Sequence, residues 1–245
     1  MAWKILLCIL FGYLIGGINP SYIIGRIKGF DIRKKGSGNA GASNAIITMG
    51  KKVGIISAVL DIMKAFAAYM LAPLIFRDVP LAAEIAGVAC MLGHMFPVYM
   101  KFKGGKGLAC LGGVLLAIDW RLFLLLLTLE IGVCVLVNYI CVVPLSASVI
   151  IPVIYGLCGS RGVAPWLLHA EGGWWGVAVL AVGTVAIWSR HIQNLHRIAI
   201  GAEMHFNYLW SSAEKKEAEK ARITQNKERY LQKKQEKKAT EKTAK

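Results

Sequence analysis

The apolar residues of this chain gather in blocks of up to about twenty, the length a helix needs to cross a hydrocarbon core of roughly 30 Å. The blocks fall at about 3–25, 53–76, 81–100, 107–119, 121–143, 145–158 and 174–188. Such runs point to one fold class, an all-α, polytopic transmembrane helix bundle with about seven membrane segments. Composition agrees, since 56% of the 245 residues are hydrophobic and only 18% are charged. That excludes a soluble globular domain, a disordered chain and a disulfide scaffold. The fourth and sixth blocks are short. Thirteen helical residues rise only about 20 Å, so these two are expected as half-helices or tilted partners, with five or six full crossings as the alternative count. The first block follows Lys4 as a signal peptide would, but it is long and has no small-residue cleavage site. It is read as a retained membrane helix.

The net charge is +15, and in a membrane chain basic residues report topology before they report a nucleic-acid partner. Of 29 Lys and Arg, 24 lie in the 26–52 loop, the 101–106 loop and the stretch from Arg190 onward. With seven crossings all three fall on one face, which the positive-inside rule makes cytoplasmic. The amino terminus is then outside and the carboxyl terminus inside. The expected division is a membrane-embedded domain over 1–210 and a basic cytoplasmic tail over 211–245, helical or disordered. From Glu214 on, the tail mixes twelve basic with six acidic residues. That suits a solvated segment, or one drawn to anionic headgroups. The six cysteines sit inside apolar stretches with no CxxC pair and read as small hydrophobes rather than bridges or metal ligands.

So greasy a chain carries few polar residues, and three dense polar clusters stand out on the inferred cytoplasmic face. The first is Gly36-Ser37-Gly38-Asn39-Ala40-Gly41-Ala42-Ser43-Asn44, after the basic Arg33-Lys34-Lys35. Its glycines allow tight turns that bring N–H groups to an anion, and Ser37, Asn39 and Asn44 add side-chain donors. A flexible linker would have the same composition. The second runs from Gly93-His94 to Lys101-Phe102-Lys103-Gly104-Gly105-Lys106-Gly107. Lysines among glycines suit phosphate, although the order is not a Walker A loop; interfacial snorkelling is the plainer role for Lys101 or Lys103. His94 near the end of a membrane helix points to a polar cavity. The third is Ser189-Arg190-His191-Ile192-Gln193-Asn194-Leu195-His196-Arg197 with Gly201 and Glu203 beyond. On a helix Arg190, Asn194 and Arg197 share a face, and two guanidinium groups there can grip phosphate oxygens. There is no His-x4-Asp pair, GxSxG elbow, zinc ligand set or dinucleotide fingerprint. From the residues alone the chain is a membrane protein with a cytoplasmic cavity for phosphorylated or anionic ligands.

Taken together and in order, the three clusters resemble the PlsY family of bacterial acyl-phosphate:glycerol-3-phosphate acyltransferases over roughly residues 5–205. The resemblance implies a seven-helix bundle in the bacterial cytoplasmic (inner) membrane, with its active site facing the cytoplasm. It implies transfer of an acyl chain from acyl phosphate to the 1-hydroxyl of sn-glycerol 3-phosphate, with no cofactor and no metal. It makes Gly104, Gly105, Lys106 and Gly107 the cradle of the donor phosphate. Ser37, Lys106, His191 and Asn194 become candidates for holding glycerol 3-phosphate, and His94 becomes a catalytic or positioning group. Gly38, Asn39, Asn44, Lys103, Arg190, Arg197 and Glu203 complete the expected substrate-binding set. Implied partners are the two substrates, membrane lipids and the soluble enzyme that makes acyl phosphate, with no nucleic acid. Ile47 stands where the family carries an arginine. The competing functions are a transporter of a phosphorylated metabolite, and the same transfer from acyl-CoA or acyl carrier protein.

Overall fold

The computed structural model describes residues 1–161 and 173–243. The last two tail residues and the side chains of Cys158 and Arg161 lie outside what is described. The described residues are helical, with short 3-10 turns and no strand: α1 Ala2–Gly17, α2 Pro20–Ile27, α3 Ala42–Met49, α4 Lys51–Ile75, α5 Ala82–Met95, α6 Leu108–Ile118, α7 Trp120–Val137, α8 Val142–Arg161, α9 Gly173–Ala199 and α10 Ala213–Thr243. They form two compact units, residues 1–130 with 143–190, and residues 131–142 with 191–245.

Among the described residues, three helical spans suffice by length and apolarity to cross a membrane: α4, α5 extended to Met100, and α9. The pair α1 and α2 makes a fourth if taken together, and the other apolar helices are shorter. The first block therefore differs from the single helix expected. It bends by 43° between Gly17 and Pro20 because Pro20 starts a new helix and Asn19 caps it, its Oδ1 accepting the Tyr22 N–H. Such a break frees carbonyls that lipid cannot satisfy. Here Lys64 Nζ, from the middle of α4, donates to the Gly16 and Ile18 carbonyls, and the Tyr99 hydroxyl donates to that of Gly17.

In the first unit small residues let backbones meet. Gly12 and Gly16 of α1 lie against the backbone of Ala86 and Cys90 on α5, and Gly113 of α6 lies against that of Ile62 on α4. A Cβ at any of the three would overlap the facing chain. The core between these helices draws on Ala65, Ala68, Met91, Met95, Val114, Ile151, Tyr155 and Ile187. The outer faces keep Leu6, Leu14, Ile55, Met63 and Val185 exposed, as suits contact with acyl chains. Within the first unit the helix order gathers clusters one and two at one end. The carboxyl ends of α2 and α5 and the amino ends of α3, α4 and α6 carry them, whereas the Lys4–Asp78 ion pair marks the opposite end of that unit.

Candidate functional site

In the first unit, clusters one and two are joined. Asn44, wholly buried in the first turn of α3, shapes the loop before it. Its Oδ1 accepts the Ser37 N–H at 2.8 Å, and its Nδ2 donates to the carbonyls of Ile32, Lys35 and Asn39 at 2.7–3.0 Å. Its role is therefore the conformation of the loop, and Ser37 and Gly38 are the exposed residues that it presents. Gly36 has φ +58° and a Cβ there would meet Asn44 Oδ1, so the turn demands glycine. Asn39 is half-buried beside Gly41. Arg33 carries the tie between clusters. It pairs with Asp31 through Nε and Nη2, stacks on Tyr22, and donates from Nη1 to the Met100 carbonyl at 2.7 Å. That guanidinium holds the Asp31 carboxyl down to about 2. Ile32, Ala40, Ala45 and Met100 close beneath as a small core.

The second cluster sits differently from the nest expected of its glycines. The Gly104 N–H donates to the Met95 carbonyl at 3.1 Å and the Gly105 N–H to that of His94 at 3.0 Å, so both are spent on α5. Arg190 takes their carbonyls, with Nη2 on Gly104 at 3.0 Å and Nε on Gly105 at 3.3 Å, while its plane lies over Phe96. Donors suited to an anion begin one step later, at the start of α6. No side chain caps that helix, and Gly107 precedes it in the left-handed conformation. Lys106, half-buried, stands just ahead of this end, and Lys103 is exposed.

His94 lies under this loop rather than open to a ligand. A Cβ on Gly105 would fall on its imidazole ring. Its Nδ1 is 3.3 Å from Asp61 Oδ1 and 3.1 Å from Lys64 Nζ, and Lys64 Nζ is 2.6 Å from the same Asp61 oxygen. The three side chains are 3%, 1% and 8% exposed, in that order. Asp61 and Lys64 were outside the expected site. Their signal was an acid and a base three residues apart in an otherwise apolar helix. Asp61, His94 and Cys110 also offer ligand atoms within 4.8 Å of one another. The Lys64 ammonium already supplies the positive charge there.

An open apolar groove of about 470 Å³ runs between α5 and α9, lined by Leu92, Phe96, Ala178, Ala181, Val182, Val185, Ala186 and Ser189. Its Phe96 and Ser189 end adjoins Arg190, and through it the Gly104–Gly105 turn.

In the second unit, His191 and Asn194 are buried on α9. The carboxylate of Glu203 gathers the rest of the cluster. Its Oε1 accepts from Asn194 Nδ2 at 2.7 Å and its Oε2 from Arg197 Nε at 2.6 Å. Asn194 and Arg197 thus share a carboxylate partner, as their spacing on one helix permits.

The glycerol-3-phosphate acyltransferase family profile matches residues 6–201, which hold all three clusters except Glu203. The chain belongs to the glycerol-3-phosphate acyltransferase family. The glycerol-3-phosphate acyltransferase of Sinorhizobium medicae is 37% identical over 199 residues, covering 81% of this chain and 90% of that one. That of Mesorhizobium japonicum is 34% identical over 205 residues, covering 83% and 96%. Among solved structures, the chain is similar to PlsY, an integral membrane glycerol 3-phosphate acyltransferase, in its glycerol 3-phosphate form. The TM-score is 0.71 at 30% identity, covering 84% of this chain and 96% of that one. Its lysophosphatidic acid form gives 0.69 at 29%, covering 82% and 94%. These relationships make the chain an acyltransferase rather than a transporter. The match ends before α10.

Proposed function

We propose that the enzyme moves an acyl group from acyl phosphate to the 1-hydroxyl of sn-glycerol 3-phosphate, giving lysophosphatidate and inorganic phosphate. The observation that carries the donor assignment is Lys106 ahead of the uncapped start of α6, a cationic and N–H-rich end suited to a phosphate. The neighbouring groove between α5 and α9 suits the donor's acyl chain, since its lining is almost wholly apolar. The hydroxyl oxygen attacks the acyl carbonyl carbon, the carbon–oxygen bond to phosphate breaks, and phosphate leaves with the electron pair. Lys106 and the α6 N–H groups stabilise the charge that gathers on it. Because acyl phosphate is already activated, holding the alcohol close supplies much of the acceleration.

The proton of the hydroxyl goes to a phosphate oxygen in this reading. His94 is buried with Nδ1 on Asp61 and its ring under Gly105, which makes it a positioning group for the Gly104–Gly107 turn. Arg190 has the same task from the other side of that turn. His191, Asn194 and Arg197 of the second unit are the proposed ligands of glycerol 3-phosphate, and Ser37 of the first unit is a proposed substrate ligand.

The same reading takes residues 1–210 as the membrane domain and 211–245 as a cytoplasmic tail. It has seven crossings of a bacterial inner membrane, the amino terminus outside, and the site on the cytoplasmic side where a soluble enzyme delivers acyl phosphate. The gathering of basic loops supports it. The test is acylation of radiolabelled glycerol 3-phosphate by the purified protein in detergent, with acyl phosphate, acyl-CoA and acyl carrier protein offered separately. Lysophosphatidate is expected from acyl phosphate alone. Product from either thioester overturns the donor assignment, and no product from any donor with folded protein overturns the function.

A further inference from the structure

The tail beyond the family match is not a bare solvated helix. Four residues of α10, Glu219, Arg222, Asn226 and Tyr230, recur at helical spacing and face the turn that follows α9. Arg222 Nη1 donates to the Gly201 carbonyl and Nη2 donates to the Glu203 carbonyl at 2.7 Å. Asn226 Nδ2 donates to the same Gly201 carbonyl at 2.8 Å. Glu219 accepts the His205 backbone N–H at 3.0 Å and holds the Arg222 guanidinium through both oxygens at 2.7 and 2.9 Å. One turn further along, the Tyr230 ring stands edge-on to His196 at 5.0 Å. The backbone from Gly201 to His205 is therefore held at three points by one helix face. The clasped segment carries Glu203, whose carboxylate orients both Asn194 and Arg197.

We propose that Arg222, braced by Glu219 and seconded by Asn226, is a positioning residue for glycerol 3-phosphate binding, acting through Glu203 on Asn194 and Arg197. The proposal rests on the reading of those two residues as ligands of that substrate. A guanidinium fork meets two carbonyls and a carboxylate at once, which a single ammonium does not reproduce. A carboxylate set in its place by the fork presents Asn194 and Arg197 in one geometry before substrate arrives. Released, the turn samples several geometries, and ordering it then weakens the binding of glycerol 3-phosphate. The contribution belongs to binding, so it is read in KM for the acceptor rather than in the chemical step.

Arg222→Gln and Asn226→Ala, singly and together in the full-length enzyme, are compared with Arg229→Ala, which changes an exposed arginine of the same helix. Two quantities are read: steady-state constants for each substrate, and amide hydrogen exchange over residues 200–206. KM for glycerol 3-phosphate is expected to rise about tenfold in Arg222→Gln, the size of one charge-assisted hydrogen bond. The constant for acyl phosphate and kcat stay near the parent's, exchange over 200–206 quickens, and Arg229→Ala changes neither. Arg222→Lys recovers only part of the loss. Quickened exchange with an unchanged KM shows a structural clasp without a role in binding, and unchanged exchange shows that there is no clasp; either result overturns the proposal. A fall in kcat with equal loss for both substrates also overturns it. Failure of the parent enzyme to use glycerol 3-phosphate would instead refute the functional reading on which the proposal rests, and the exchange data would still decide whether Arg222 holds the turn.

Discussion

At the scale of single residues, the second cluster divides its work in a way that composition does not reveal. Glycines read as N–H donors use those donors inward, on the His94 and Met95 carbonyls, while Arg190 takes their own carbonyls. The end suited to a phosphate is the first turn of α6, with Lys106 just ahead of it. Lys106→Ala is accordingly expected to lower kcat/KM by about 10²–10³-fold, the usual loss when a donor to developing charge is removed. Lys103→Ala, at an exposed lysine of the same loop, should cost far less; steady-state assays on folded variants check both. The clusters that hold Ser37, Lys106, His191 and Asn194 were legible because polar residues are scarce in such a chain, whereas the part each would play came from the family resemblance. Asn44 was legible only as polar. That its amide is consumed by four backbone groups of its own loop depends on distances that spacing does not encode.

At the scale of elements, the apolar runs revealed the helices. The break between α1 and α2 was visible as Asn19-Pro20, yet not its consequence, because Lys64 lies 44 residues further along the sequence from Pro20. That lysine closes the broken end of α1, neutralises Asp61 and abuts His94. Removing one member of a buried charge pair strands the other, at a cost of about 3–5 kcal/mol. Lys64→Met and Asp61→Asn should therefore each lower the melting temperature in detergent, whereas the double variant should lose less than the sum of the two. Strict additivity would mean that the pair is not coupled.

At the scale of the whole molecule, the family match and the fold make the chain an integral membrane acyltransferase whose last helix lies beyond the matched residues. The tail's charge mixture suggested solvation, and most of the described side chains of α10 are exposed. Its docking face escaped notice because it binds backbone carbonyls, which leave no mark in sequence. In the proposed function two phosphorylated substrates are brought together, and the acyl group passes directly from acyl phosphate to the bound alcohol. The most direct test is inorganic phosphate released from acyl phosphate by the purified enzyme, measured with and without glycerol 3-phosphate. Negligible release is expected without the acceptor, and with it one phosphate for each lysophosphatidate formed. A burst of phosphate in the absence of glycerol 3-phosphate, equal to the enzyme present, would reveal an acyl-enzyme and contradict direct transfer.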